Sequence, residues 1–423
     1  MPSEIRRRKL DNGLTVLTER MPDVRSVCIG IWLKKGSRDE AKRLNGISHF
    51  IEHLVFKGTE NRSARELALA MDSIGGQMDA FTSKEYTCFY AKVLDEHLPV
   101  TIELLSDIVQ RPLFDPVELE RERQVVLEEI QMVDDSPEEL LYDLFSEKFY
   151  PRHPLGRPIQ GTAESVGGFS RRQLLNFFKS SYRPENMLVV AAGNLDHKDV
   201  VRQVSRAFAG LEPGAASNGQ GSPPRSRGGV VTRAKKELAQ LHLLMGLPAF
   251  PADERGRYSL HVLNALLGGT MSSRLFQKIR EERGLVYSVY SAVNGFVDSG
   301  FLAIYAGTSP RKGREVVGLV TDELADLRDH GPNDQELRVA KEHLKGSLML
   351  ALESTSSRMS NLARQEIYQK RKRSLEATLA GVEAVTRDRV HRMAREVTES
   401  ADIGFAAVGR VGQLKLPQGA LTF

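Results

Sequence analysis

The order of elements between residues 26 and 133 returns about 215 residues further on, and this repetition constrains the chain more than any single motif. The strand-like run SVCIGIWLKK is echoed by AQLHLLMGLPAF, and SLHVLNALLGG falls where the helical stretch NGISHFIEHLVFKG fell. DAFTSKEYTCFYAKV finds its counterpart in SVYSAVNGFVDSGFLAIYAGT, and PVELERERQVVLEEIQMV in NDQELRVAKEHLKGSLML. An internal duplication is the economical explanation, so the chain reads as two copies of one α+β unit. Residues 210 to 229 between the copies are rich in Gly, Pro and Ser and nearly empty of large apolar side chains, which is the composition of a linker. The expected organisation is therefore a first domain at 1–209, a linker at 210–233 and a second domain at 234–423.

Composition excludes several classes of function. Hydrophobic residues at 41% and charged residues at 27% are ordinary for a globular protein. A net charge of +4 over 423 residues is weak, and no basic stripe with interleaved aromatics appears, which argues against nucleic acid and against a membrane surface. Arg6, Arg7, Arg8 and Lys9 form a short basic cluster read as a solvated terminus ahead of a strand. No run approaches the roughly 18 apolar residues of a membrane span and no signal core opens the chain, so a cytoplasmic location is expected. Cys28 and Cys88 both sit in apolar, strand-like runs, and a buried free thiol suits each better than a disulfide.

Periodicity predicts strands at 9–20 and 25–34, a helix at 63–74 capped by Ser63 with Glu66 three residues on, and a helix at 96–110. Another helix begins at Asp115, with Pro116 at its first position and Glu118 completing the cap. Helices follow at 138–149, 171–181 and 197–209, with HPLGRPIQGT at 153–162 as a loop and a strand at 186–194.

The stretch 45–58, NGISHFIEHLVFKG, carries the chemistry. Ile47, Phe50, Ile51, Leu54 and Val55 recur at helical spacing and Gly58 is a natural stop, which leaves His49, Glu52 and His53 on the polar side. Two His four residues apart project from one side of a helix, so their ring nitrogens can converge on a single Zn²⁺ at roughly 2.0–2.1 Å. Glu52 stands beside them, placed to hold a water at the metal and take its proton. The pattern is the reverse of HExxH and is the inverzincin signature. A hydrolytic centre needs a third ligand. On the helix from Asp115, Glu122 and Glu129 share a face with Val126 whereas Glu128 points elsewhere. Glu129 is the candidate ligand and Glu122 a partner for the far nitrogen of a ligating His, although an acidic helix face is also what plain solvation produces. The second copy offers only Leu266, Leu267, Gly268 and Gly269 at the matching helix, so one zinc per chain is expected.

His49, Glu52 and His53 followed by Glu129 after 75 intervening residues, the duplicated unit, HPLGRPIQGT and LFQKIREERGLVYSVYS together resemble the M16 metallopeptidases, the pitrilysin and insulin-degrading enzyme family. The resemblance covers nearly the whole chain and is closest to the mitochondrial processing peptidase and its bacterial relatives, in which each chain is half of a clamshell. It implies two homologous α+β domains with mixed, mainly antiparallel sheets. It implies His49, His53 and Glu129 as zinc ligands, Glu52 as general base, and Glu122 as the additional acidic residue of its helix. Arg280 and Tyr287 match an Arg and a Tyr that contact substrate near the scissile bond; otherwise they are a helix-end Arg and a strand Tyr. Charge and phenol chemistry suit them to a substrate carbonyl or a tetrahedral oxyanion.

The same resemblance implies a homodimer enclosing a chamber, with Arg280 and Tyr287 supplied by the partner subunit. Phe56 matches a position lining the pocket after the scissile bond. Glu139 and Asp143 match acidic positions that bind an upstream Arg, although solvated helix carboxylates look the same. The family's substrate-binding edge strand reads Asp79, Ala80, Phe81 and Thr82 here, with Asp79 where the family has Asn. The implied activity is a zinc endopeptidase acting on peptides or unfolded segments. Its competitors are a non-catalytic scaffold or heterodimer component of the same family, whose members usually lose part of the motif, and a zinc amidase on an unrelated fold, against which the duplication argues.

Overall fold

The computed structural model describes residues 4–214, 222–254, 256–369, 373–399, 402–414, 416 and 421, so residues 215–221 of the expected linker lie outside the described residues. The chain divides into two compact units. One comprises Met1–Gln131, Arg157–Gly221 and Leu350–Ile367; the other comprises Met132–Gly156, Ser222–Met349 and Tyr368–Phe423.

The first unit is built on strands β1 (Glu4–Lys9), β2 (Thr15–Arg20), β3 (Ser26–Leu33), β4 (Gln77–Thr82), β5 (Thr87–Leu94) and β6 (Met187–Gly193). Its helices are α1 (Ile47–Leu54), α2 (Ala64–Asp72), α3 (Leu98–Gln110), most of α4 (Pro116–Asp135), and, beyond α5 (Pro137–Phe149), α6 (Ala163–Gly167), α7 (Arg171–Ser181) and α8 (His197–Ala207). The second unit carries β7 (Gly229–Ala234), β8 (Leu241–Ala249), β9 (Val286–Gly295), β10 (Gly300–Thr308) and β11 (Gly404–Gly409). Helices α9 (Arg257–Leu267), α10 (Gly313–Asp329), α11 (Asp334–Ala351), α12 (Thr355–Tyr368), α13 (Leu375–Glu383) and α14 (Arg387–Thr398) complete the chain.

The two sheets share one topology. The first runs β1-β2-β6-β3-β5-β4 and the second β7-β11-β8-β10-β9. In each, one parallel pair, β2 with β6 or β7 with β11, leads into a series of antiparallel pairs. Among the described strands only β1 lacks a counterpart. The basic cluster Arg6 to Lys9 is part of this strand, not a terminus ahead of one, and all six residues of β1 are exposed. An edge strand built from Arg and Lys keeps its free backbone edge solvated. The stretch expected as linker likewise ends in a strand, since β7 opens at Gly229.

Strand β3 explains why SVCIGIWL is apolar without interruption. Val27, Ile29, Ile31 and Leu33 face a core shared with α1, α3 and α8, while Cys28 and Trp32 face the opposite side, against Met359, Leu362 and Ala363 of α12. In β8, Leu241, Leu243, Met245 and Leu247 join one core, and Leu244 faces Leu141, Phe145 and Phe149 of α5. The covering helix is thus exchanged: α12 closes the first sheet and α5 the second. A glycine makes room in each central strand. A Cβ on Gly30 would lie 2.8 Å from Trp32 Nε1 and 3.1 Å from Met359 Sδ, and one on Gly246 would lie 2.1 Å from Phe145 Cζ. The unit boundaries therefore differ from a single cut at the linker, because an apolar sheet face must be covered and the helix that covers it comes from the other half of the chain.

Most local signals appear as read. Ser63 and Glu66 form the reciprocal cap of α2. At α4, Asp115 Oδ1 accepts from Val117 N at 2.8 Å and Glu118 N at 3.2 Å, but the Glu118 carboxylate pairs with Arg121 instead of reaching back to the cap. Among the described residues no helix is long and apolar enough to cross a membrane.

Candidate metal centre

Helix α1 is two turns long. Ile47, Phe50, Ile51 and Leu54 are buried, each full burial contributing roughly 1.5–3 kcal/mol, and His49, Glu52 and His53 are left half-buried on the other side. Helix α4 buries Leu119, Glu122 and Val126 and leaves Glu129 half-buried one heptad after Glu122, whereas Glu128 is exposed.

These two faces converge. His49 Nε2 lies 3.7 Å and His53 Nε2 3.5 Å from the same atom, Glu129 Oε2. His49, His53 and Glu129 form the one set, among the described residues, whose ligand atoms all lie within 4.8 Å of one another. The first unit contains it, and the helix matching α1 in the second unit, α9, contributes nothing comparable. Glu122, 5% exposed, takes up the remaining nitrogen of His53: its Oε2 stands 3.2 Å from Nδ1, which directs Nε2 toward Glu129, and its Oε1 accepts from Lys57 Nζ at 2.7 Å. Lys57 went unread in the sequence; it lies four residues after His53, in the turn that follows α1.

The donor set fits zinc: two imidazoles and one carboxylate are the ligand types of hydrolytic zinc sites, which keep a fourth position open. Burial, with the neighbouring His53 ring adding to it, pushes the His49 imidazole down to about 4, so it is held neutral and ready to ligate. Its Nδ1 is buried with no hydrogen-bond partner.

Glu52 points from α1 toward β4, where the Thr82 hydroxyl donates to its Oε2. Burial pushes the Glu52 carboxyl up to about 7; the Thr82 bond opposes this, and the charges of Asp79 and Glu129 add to it. A carboxyl held near neutrality is matched to taking and returning a proton.

Strand β4 is the edge of its sheet, paired through β5 alone. Asp79 is exposed and its Oδ1 accepts from Ala80 N at 2.7 Å. Ala80 packs toward the α1 core, while the Phe81 ring lies in the aromatic cluster of Trp32, Tyr86 and Tyr90 under α12. Phe56 is half-buried and lines, with Leu67, Met71, Met78 and Asp79, an open cleft of about 700 Å³ beside the strand.

The other four residues of interest belong to the second unit. Arg280 is exposed, in a π-helical turn at Phe276–Glu281, with its guanidinium 4.7 Å from the centre of the Phe276 ring. Tyr287, the second residue of β9, is 77% exposed. On α5, Glu139 is exposed and Asp143 half-buried.

Two family models match the chain: one described as insulinase (peptidase family M16) over residues 15–163, and one described as the peptidase M16 inactive domain over residues 168–344. An uncharacterized zinc protease of Bacillus subtilis, YmxG, is 41% identical over 97% of this chain and 99% of its own length. An uncharacterized zinc protease of Mycobacterium tuberculosis is 43% identical over 98% of this chain and 95% of its own. Among solved structures, a protease from Helicobacter pylori superposes with a TM-score of 0.90 at 22% identity, covering 96% of this chain and 99% of that one. A Pseudomonas fluorescens structure described as a peptidase M16 inactive domain gives a TM-score of 0.90 at 20% identity, over 96% and 98% of the two chains. With its two-domain fold, its His-His-Glu set and relatives of this kind along nearly its full length, the chain belongs to the M16 peptidase family.

Proposed function

We propose that this chain is a zinc endopeptidase that cleaves peptides or unfolded protein segments. The observation that carries the reading is the approach of both His Nε2 atoms to a single oxygen of Glu129, with a buried carboxyl, Glu52, on the same helix. His49, His53 and Glu129 would hold one zinc per chain, and zinc, when bound, supplies Lewis acidity that brings a water toward ionisation near neutral pH. Glu52 takes the proton of the attacking water and delivers it to the leaving amine, and the Thr82 hydroxyl fixes the rotamer in which it does so. Glu122 fixes His53 through Nδ1. The free edge of β4 binds an extended substrate by main-chain hydrogen bonds, with the cleft at Phe56 accepting a side chain.

The exposure of Arg280 and Tyr287 supports a role toward a bound chain, as donors to the carbonyl at the scissile bond. On this reading the enzyme is a homodimer enclosing a chamber, and each site receives these two residues from the partner subunit. Glu139 and Asp143 favour basic peptides; equal cleavage of basic and neutral peptides, unchanged when both become Ala, removes that preference. Two buried free thiols, Cys28 and Cys88, support a reducing, cytoplasmic setting.

The deciding experiment measures zinc content and cleavage of a quenched peptide library by the wild type and by Glu52→Gln. About one zinc per chain in both, with cleavage in the wild type alone, is the expected result. Zinc in both and cleavage in neither marks a chain that needs an unlike partner or serves as a scaffold.

A further inference from the structure

Helix α1 has no side-chain cap of its own. Its N-cap is Gly46, in the left-handed region at φ +93°, and the eight residues that follow are too few to hold a helix in water unaided. The acceptor for its first amides comes from upstream. Glu40, 3% exposed, accepts from Gly46 N at 2.7 Å and Asn45 Nδ2 at 3.2 Å through Oε2, and from Ser48 N at 2.8 Å through Oε1. A carboxylate on these amides also sits at the positive end of the helix dipole. Burial pushes this carboxyl up to about 7 against the pull of the Ser48 and Gly46 amides, so the fold keeps an anion-binding contact at a place where an anion is costly.

The loop HPLGRPIQGT closes on the same point. Arg157 Nη2 donates to the Glu40 carbonyl at 2.8 Å, Asn45 Nδ2 donates to Pro158 O at 2.9 Å, and Ser165 Oγ donates to Asn45 O at 2.8 Å. The backbones meet through two glycines that are both left-handed. A Cβ on Gly46 would lie 2.4 Å from Gln160 O, and one on Gly161, at φ +84°, would lie 2.4 Å from Asn45 O. Only glycine satisfies both the conformation and the approach. His49 is the third residue of α1, so the clamp lies one turn or less from the first candidate ligand.

We infer that Glu40 is a positioning residue for the metal centre: seated under the first turn of α1 and locked by the 157–161 loop, it sets the register and tilt with which His49, Glu52 and His53 meet Glu129. The inference rests on α1 being the metal helix. It accounts for the loop motif, which no step of the proposed hydrolysis uses.

The test is Glu40→Gln, close to Glu40 in shape but unable to accept on both oxygens, compared with the wild type in three readouts. These are zinc affinity by chelator competition, the visible d–d absorption of the Co²⁺-loaded protein, and kcat with KM on one peptide. Expected are far-UV circular dichroism like the wild type's, zinc binding weaker by about tenfold or more, displaced Co²⁺ bands, and a kcat loss with KM little changed. A lowered melting temperature with unchanged zinc affinity, Co²⁺ spectrum and kcat overturns the inference and leaves Glu40 an ordinary structural residue. Should Glu40→Gln fail to fold, Arg157→Ala keeps the carboxylate and removes the side-chain bond by which the loop holds the Glu40 backbone: a smaller shift of the same readouts supports the inference, and none overturns it. A wild type that binds no Zn²⁺ or Co²⁺ is seen before any variant is compared, and it removes the metal-centre reading itself.

Discussion

The two units use one sheet topology and fasten their long helices differently. In the first, two acids on α4 face the imidazoles of α1, with Glu129 on both Nε2 atoms and Glu122 on His53 Nδ1. In the second, the acids face a guanidinium. Arg274 donates to Glu336 of α11 at 2.6 and 2.9 Å and to Asp326 of α10 at 2.6 Å. Helix α9, in the place of α1, buries Leu260, Val262, Leu263, Ala265, Leu266 and Leu267, and its polar residues Arg257, Ser259, His261 and Asn264 do not make a His-Glu-His set. A closed ion pair satisfies its members and leaves nothing for substrate. Three ligands on a metal leave a position open, so on the proposed function the first copy would hold the chemistry and the second would not.

The comparison can be broken or sharpened by measurement. Glu52→Gln should lower hydrolysis by about 10²–10⁴-fold with zinc content unchanged; a fall below tenfold would place the base elsewhere. Arg274→Ala should destabilise the second unit by about 2–3 kcal/mol, below the 3–5 kcal/mol of a fully buried pair because Asp326 is 45% and Glu336 25% exposed. Its zinc affinity should match the wild type's, which titration with a chelator would show. Removing the metal should lower stability by about 2.7 kcal/mol relative to zinc at a hundred times its dissociation constant, with hydrogen exchange rising at α1 and α4 and not at α10 and α11. The smallest effect belongs to Glu122→Gln, which should weaken zinc about tenfold while Lys57 keeps a partner in the amide oxygen; unaltered affinity would make Glu122 a partner of Lys57 alone.

Much of this was legible in the sequence. Helical spacing put His49, Glu52 and His53 on one face, and the duplicated order of segments anticipated two sheets of one design. Capping chemistry located α2 closely, since Ser63 with Glu66 is a short-range signal, whereas the reciprocal cap of Ser170 and Gln173 at α7 was not read. What stayed hidden depends on contacts between residues far apart in the chain. Periodicity marks a face as apolar without naming its cover, so nothing in ELLYDLFSEKF says that Phe145 seats over Gly246. For the same reason HPLGRPIQGT read as a loop and not as the lock on α1, and Arg6 to Lys9 read as a solvated tail because an exposed edge strand has no apolar alternation to reveal it.

The exchange of covering helices also orders events in time. As the chain leaves the ribosome, all six strands of the first sheet are present once Gly193 has been made, yet Trp32, Leu188 and Val190 stay open to water until α12 follows more than 160 residues later. Helix α5 waits in the opposite sense, carrying Leu141, Phe145 and Phe149 bare until β8, β10 and β11 exist. Neither half can therefore finish its core before nearly the whole polypeptide has been synthesised, and a break in the linker would yield two fragments, each holding the other's missing piece.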